Sequence, residues 1–312
     1  MDRKDKKIAV VGIGGVGGYL AGMLGRAYDD LTLAARGKRR EFLLKNGVVL
    51  HSDHNGEIAV KHARVVPASE MGEQDYIFVC VKNYSLEETC RQLKSAVTEE
   101  TVIIPVMNGV DPGERIRKYL GKGIVVDSLI YIVAFVKEDG SVIQQGDFAD
   151  LRIGIAGGNE REQKKVQEVS EILSYAGIDH KTAKDIQVEI WRKYILNCAY
   201  NAETAFYDNT IGQLRQDPVK AGEYEALVNE AYCVALAKGV AVKQEHIDAI
   251  IYRFYHELSE DATSSLQRDI RSGKKAEVET FSGYIVHEAK KNNIAVPVTE
   301  KMYRKLSMHL KQ

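Results

Sequence analysis

Residues 7–18 read KIAVVGIGGVGG. Positions 7–11 form a short β-branched run that stops at Gly12, and Gly12, Gly14 and Gly17 then fit G-x-G-x-x-G at the passage from a strand into a helix. In that pattern one glycine makes the tight turn, one lets a pyrophosphate approach the backbone, and one allows the helix to pack closely on the strand. A helix over about 16–26 would then offer its free N–H groups and positive dipole end to the phosphate. Gly12, Ile13, Gly14, Gly15, Val16 and Gly17 are the candidate cofactor-binding residues. The glycines alone could equally form a flexible loop, so the flanking segments decide.

Working outward, 31–35 (LTLAA) reads as a second strand ending at Arg36. An NAD site usually places Asp or Glu at this strand end to hold the ribose 2′-hydroxyl. Here the run is Arg36, Gly37, Lys38, Arg39, Arg40, a cation cluster suited to a 2′-phosphate, so NADP(H) is expected rather than NAD(H). The alternative is a solvated basic turn opening the next helix. Positions 76–82 (YIFVCVK) and 101–106 (TVIIPV) are apolar without alternation, as strands covered on both faces are. They lead to Lys82 and Asn108 at the carboxyl edge, where ligands of doubly wound sheets sit. The turn at Asp139-Gly140 predicts a hairpin within 123–157, so the sheet is expected to finish with antiparallel strands, followed by a charged helix over 160–176.

After Lys184 nearly everything reads as helix: 190–206, 219–238, 244–260, 274–291 and 298–311. The expectation is a Rossmann-type α/β domain over 1–184 and an all-helical domain over 185–312. The helix at 190–206 (IWRKYILNCAYNAETAF) is unusual. At about 100° per residue, Lys193, Asn197 and Asn201 fall at about 0°, 40° and 80°, with Thr204 among them, separate from both the apolar face and a charged face. Such a stripe is either the wet edge of an amphipathic helix or a surface that receives a polar ligand. Ser265 and Glu277 lie in DATSSLQRDIRSGKKAEVETFSG, residues 261–283. Taken alone, Glu277 is well explained by the favourable field at a helix start.

Composition excludes several classes. The 312 residues are 45% hydrophobic and 28% charged with a net charge of -1, which gives no electrostatic footprint for nucleic acid. Cys80, Cys90, Cys198 and Cys233 are scattered without zinc-ligand spacing, which fits a reduced, cytoplasmic protein and no metal. The basic start followed by apolar residues imitates a secretory signal, but it lacks a convincing cleavage site. Nothing approaches the length of a membrane span.

The sequence resembles the ketopantoate reductase (2-dehydropantoate 2-reductase) family through nearly its whole length. The likeness rests on GIGGVGG, Arg36, Val81-Lys82, Met107-Asn108-Gly109, the W-x-K-x-x-x-N-x-x-x-N pattern from Trp191 to Asn201, SSLQRDIR with Glu277, and NNIAVPVTEKMY at 292–303. The resemblance implies NADPH-dependent reduction of 2-dehydropantoate to pantoate, a step of pantothenate biosynthesis, with Lys193 as general acid. It implies that Glu277 lines the substrate site and holds the product hydroxyl or the lysine, and that Asn197, Asn201 and Ser265 bind the 2-oxoacid. It also implies that Lys82 and Asn108 lie between cofactor and substrate. Ala202, Glu203 and Ile211 depart from the family pattern, which leaves another 2-oxoacid open as the substrate. A non-catalytic NADP(H) sensor is the contrasting reading. Exposed helices in the second half leave room for a homodimer.

Overall fold

The computed structural model describes residues 6–308, which divide into two compact units between Ile186 and Gln187. The first unit runs β1 (Ile8–Val11), α1 (Gly15–Ala27), β2 (Leu31–Ala34), α2 (Gly37–Asn46), β3 (Val48–Ser52), β4 (Gly56–Val60), β5 (Arg64–Val66), β6 (Tyr76–Val79), α3 (Leu86–Leu93), β7 (Val102–Pro105), α4 (Pro112–Leu120), β8 (Ile124–Val125), β9 (Asp127–Val136), β10 (Val142–Gly154), α5 (Glu160–Tyr175) and β11 (His180–Thr182). Strands β5-β2-β1-β6-β7-β8 form one wholly parallel sheet. Alternate residues of β1 enter opposite cores: Ile8 and Val10 pack with Tyr19, Leu20, Met23 and Leu24 of α1, whereas Ala9 and Val11 pack with Leu86, Cys90 and Leu93 of α3. Cover on both faces is why these strands carry apolar runs without alternation.

The hairpin expected at Asp139-Gly140 is present as β9 and β10, but it does not finish this sheet. It belongs to a second sheet ordered β11-β10-β3-β4, in which β10 pairs antiparallel with β9 and parallel with β3 and β11. The hairpin β3–β4 was not foreseen, although Asn55-Gly56 carries its turn signal and Gly56 has φ 77°. Helix α1 is packed between the two sheets. A Cβ on Gly18, Gly22 or Gly25 would lie 2.4, 2.9 or 2.6 Å from Val142, Leu50 or Val60, so a glycine face lets the second sheet approach.

The second unit is helical: α6 (Ile186–Tyr207, its first residue at the division), α7 (Ile211–Arg215), α8 (Pro218–Ala237), α9 (Gln244–His256), α10 (Ser265–Arg271), a π-helical turn (Glu279–Gly283), α11 (Tyr284–Lys291) and α12 (Pro297–Leu306). The single helix expected over 274–291 is broken, since 274–277 are not helical. The predicted end of the last helix at Lys311 lies outside the described residues. No described helix is long and apolar enough to cross a membrane.

Gly17 tests the strand-to-helix packing. Its Cβ would meet the Gly12 carbonyl oxygen at 2.1 Å, a backbone atom unable to yield, whereas a Cβ on Gly14 meets nothing within 4 Å. Gly17→Ala is expected to destabilise by about 2 kcal/mol or more in chemical denaturation, despite the better helix propensity of alanine. Gly14→Ala should stay within about 0.5 kcal/mol of the wild type.

Candidate active site

In the first unit, Gly12 adopts φ 88° and its carbonyl accepts from the Gly14 N–H at 2.9 Å, closing the turn out of β1. Helix α1 then begins with Gly14 at its N-cap, no side chain on the cap and no acidic residue in its first turn. A helix end of this kind presents donors and positive potential to an anion, and open space beside Gly14 lets the anion approach. These residues fit a dinucleotide pyrophosphate.

The basic run after β2 divides in two. Arg36, at the N-cap of α2, and Lys38 are exposed. Arg39 instead turns inward: its Nε donates to the Ile13 carbonyl at 2.8 Å, its Nη1 donates to the Gly140 carbonyl, and its guanidinium lies over the Phe42 ring. Burial lowers its pKa. Arg39 therefore braces the glycine loop against the hairpin turn, leaving Arg36 and Lys38 as the exposed cations at the strand end.

Lys82 and Asn108 follow β6 and β7, adjacent strands of the parallel sheet, and both are half-buried. Sequence reasoning missed what joins their loops. Asn83 donates from Nδ2 to the Asn108 carbonyl at 2.7 Å, and Arg115 of α4 donates to the Asn83 side chain at 3.2 Å and to its carbonyl at 3.1 Å. The only hint was an Asn beside the lysine.

In the second unit the polar stripe of α6 also divides. At its far end Asn201 is buried and its amide is in use: Nδ2 donates to the Asn197 carbonyl at 3.0 Å, while Oδ1 accepts from the Ser265 hydroxyl and the Leu266 N–H, both at 3.2 Å. The Thr204 and Ser264 hydroxyls are hydrogen-bonded at 2.7 Å, and Ser264 caps α10 by accepting from the Gln267 N–H. These residues fasten α6 to the start of α10. Asn197, half-buried, leaves its carboxamide available, as does Ser265 its remaining hydroxyl capacity.

Lys193 sits at the other end of the stripe. Burial pushes its ammonium down to about 8, against the opposing pull of the Glu277 carboxylate. Glu277 is 4% exposed and its backbone carbonyl starts the next turn by accepting from the Thr280 and Phe281 N–H groups at 3.0 and 3.2 Å. The structure thus brings Lys193 and Glu277 within electrostatic reach of each other and ties Asn201 to Ser265. Ala202, Glu203 and Ile211 are all fully buried, at 1%, 0% and 0% exposure.

A family model described as ketopantoate reductase PanE/ApbA matches residues 8–158, and the corresponding C-terminal model matches residues 185–310. The uncharacterized oxidoreductase YkpB of Bacillus subtilis is 28% identical over 307 residues, covering 97% of this chain and 98% of its own. The 2-dehydropantoate 2-reductase of Pyrococcus horikoshii is 26% identical over 295 residues, covering 94% and 93%. Among solved structures, a ternary complex of D-mandelate dehydrogenase with NADH and anilino(oxo)acetate has a TM-score of 0.86 at 20% identity, covering 97% and 98%, a likeness of fold. The chain is an oxidoreductase with a dinucleotide-binding α/β unit and a helical unit. It belongs to the ketopantoate reductase PanE/ApbA family.

One feature of α6 lies outside any ligand contact. Neither carboxyl oxygen of the buried Glu203 has a hydrogen-bond partner. Burial, helped by the Glu223 and Asp217 carboxylates and opposed by Lys220 and Lys301, raises its pKa from 4.5 to about 9. The unfolded chain ionises this carboxyl near 4.5 and the folded chain only near 9, so across that window ionisation favours unfolding and stability falls as pH rises. Glu203→Gln is expected to match the wild type at pH 5 and to exceed it by about 2 kcal/mol or more at pH 8. Thermal denaturation at both pH values checks this, and an equal difference at the two would refute it.

Proposed function

We propose that this protein reduces the C2 carbonyl of a 2-oxoacid, with ketopantoate as the substrate and pantothenate biosynthesis as the setting. The observation that carries the reading is the pairing of a desolvated Lys193 with Glu277 on a stripe that also presents Asn197. NADPH, when bound, supplies the hydride from C4 of its dihydronicotinamide. The glycine loop and the α1 N-terminus hold its pyrophosphate, Arg36 and Lys38 receive the 2′-phosphate, and Lys82 and Asn108 complete the cofactor contacts.

As hydride reaches the carbonyl carbon, negative charge grows on its oxygen. Lys193 in its ammonium form polarises that oxygen beforehand and donates its proton as the alkoxide forms. A pKa of about 8 suits this role, because the group is still largely protonated at pH 7 yet releases its proton more readily than an exposed lysine. Glu277 favours the ammonium form and accepts from the product hydroxyl. Asn197 and the Ser265 hydroxyl hold the substrate's polar groups, with Asn201 contributing through Ser265.

A second reading keeps the chemistry and changes the ligands. The buried departures Ala202, Glu203 and Ile211 favour a different 2-oxoacid, and the NADH in the D-mandelate dehydrogenase complex favours testing both cofactors. NADPH oxidation at 340 nm with ketopantoate, a panel of other 2-oxoacids and an NADH control separates these outcomes. Binding of NADPH without turnover across the panel would leave two readings, a 2-oxoacid outside the panel or a non-catalytic sensor.

Three results are expected. Lys193→Ala lowers kcat about 100-fold or more while NADPH affinity changes little; near-normal turnover would sink the assignment. Because the acid form is required, kcat/KM in the reductive direction declines as pH rises through about 8. Arg36→Ala weakens NADPH about tenfold and NADH hardly at all in equilibrium titration, since only NADPH carries the 2′-phosphate.

A further inference from the structure

The turn that follows Glu277 is π-helical over Glu279–Gly283. In a regular α-helix the Tyr284 N–H would bond to the Thr280 carbonyl, four residues back. Here it reaches back five residues to the Glu279 carbonyl and passes over that of Thr280. The passed-over oxygen accepts from the Tyr194 hydroxyl at 2.6 Å, a buried contact across 86 residues of sequence. Tyr194 is the neighbour of Lys193 on α6. Its ring is held by edge contacts with Trp191, centroids 5.6 Å apart, and with Tyr284, 5.9 Å apart.

We propose that Tyr194 is a positioning residue: its hydroxyl holds the π-helical turn to α6 and so sets the spacing between the Lys193 ammonium and the Glu277 carboxylate. The chain of connection is short. The Glu277 carbonyl takes the Thr280 and Phe281 N–H groups, so the backbone of Glu277 is fixed by the same turn whose Thr280 oxygen Tyr194 holds. Trp191, Tyr194 and Tyr284 form the wall against which that turn rests. An inserted residue of this kind strains a helix and persists where surrounding contacts over-determine it, and such bulges concentrate at functional sites. Beyond the turn, the Tyr303 hydroxyl donates to Glu279 Oε1 at 2.6 Å.

Loss of the hydroxyl lets the turn and its carboxylate draw away. Desolvation of Lys193 then acts with less opposition, and the amine loses its proton at lower pH. The charged group that opposes the desolvation is Glu277. The proposal rests on Lys193 being the general acid, but its test reads the amine directly. Competitive labelling of the folded protein with acetic anhydride from pH 6 to 10, read by mass spectrometry, gives the ionisation midpoint of Lys193 without any substrate.

Tyr194→Phe is expected to lower that midpoint by about one unit, with a several-fold to tenfold rise in Lys193 labelling at pH 7 relative to other lysines. Tyr200→Phe removes a comparable bond from the same helix, hydroxyl to the Thr263 carbonyl at 3.1 Å, and should leave the midpoint in place. An unchanged Lys193 midpoint in Tyr194→Phe overturns the proposal, as does an equal shift in Tyr200→Phe. Full turnover in Lys193→Ala would overturn the catalytic reading while leaving the midpoint experiment to stand or fall separately.

Discussion

An ammonium taken out of water is tolerated only where an opposite charge and hydrogen-bond acceptors replace its hydration. In the second unit that requirement organises much else. Lys193 is carried by a 22-residue helix without Pro or Gly, so its place along the axis is rigid. Its counter-charge comes from a segment 84 residues later in the chain, in a part that leaves helix at 274–277 and re-enters through a π-helical turn. Holding the two together needs contacts across elements, and the buried Tyr194 to Thr280 bond and the aromatic wall beside it are of that kind.

The first unit answers to a different constraint, close approach of backbone to backbone. Helix α1 has to touch β1 through Gly17, lie under the second sheet through Gly18, Gly22 and Gly25, and keep its N-terminus bare for an anion. The second glycine pattern explains why this helix carries more glycine than the dinucleotide motif requires. It also links the two sheets to the ligand loop, since Arg39 ties Ile13 of that loop to Gly140 of the second-sheet hairpin.

Long, uniformly apolar strands and the uninterrupted helix 190–206 were legible because their signals are periodic and local. Strands β1, β2, β6 and β7 fall within a few residues of their expected bounds. The separate second sheet was not legible, because β10 pairs with residues 92 positions before and 29 positions after their partners, and hydropathy carries no record of pairing partners. The basic run at 36–40 shows the same limit at a site. Its charge was plain, but which cation faces solvent follows from helix phase and from Phe42 and Gly140, neither of which belongs to the motif.

Asn197 and Asn201 sharpen the point. They are the same residue type, one helical turn apart on one face, so periodicity treats them alike. The structure does not, because the start of α10 comes alongside Asn201 and fills its acceptor with the Ser265 hydroxyl and the Leu266 N–H, while Asn197 keeps its amide. The polar stripe of this helix is therefore graded along its axis: a charge at Lys193, an available amide at Asn197, and an amide at Asn201 that holds a hydroxyl. Ala202 and Glu203 of α6 and Ile211 of α7 are fully buried near that end. Close packing makes a change of volume there felt at Asn201 and at the Ser265 hydroxyl bonded to it.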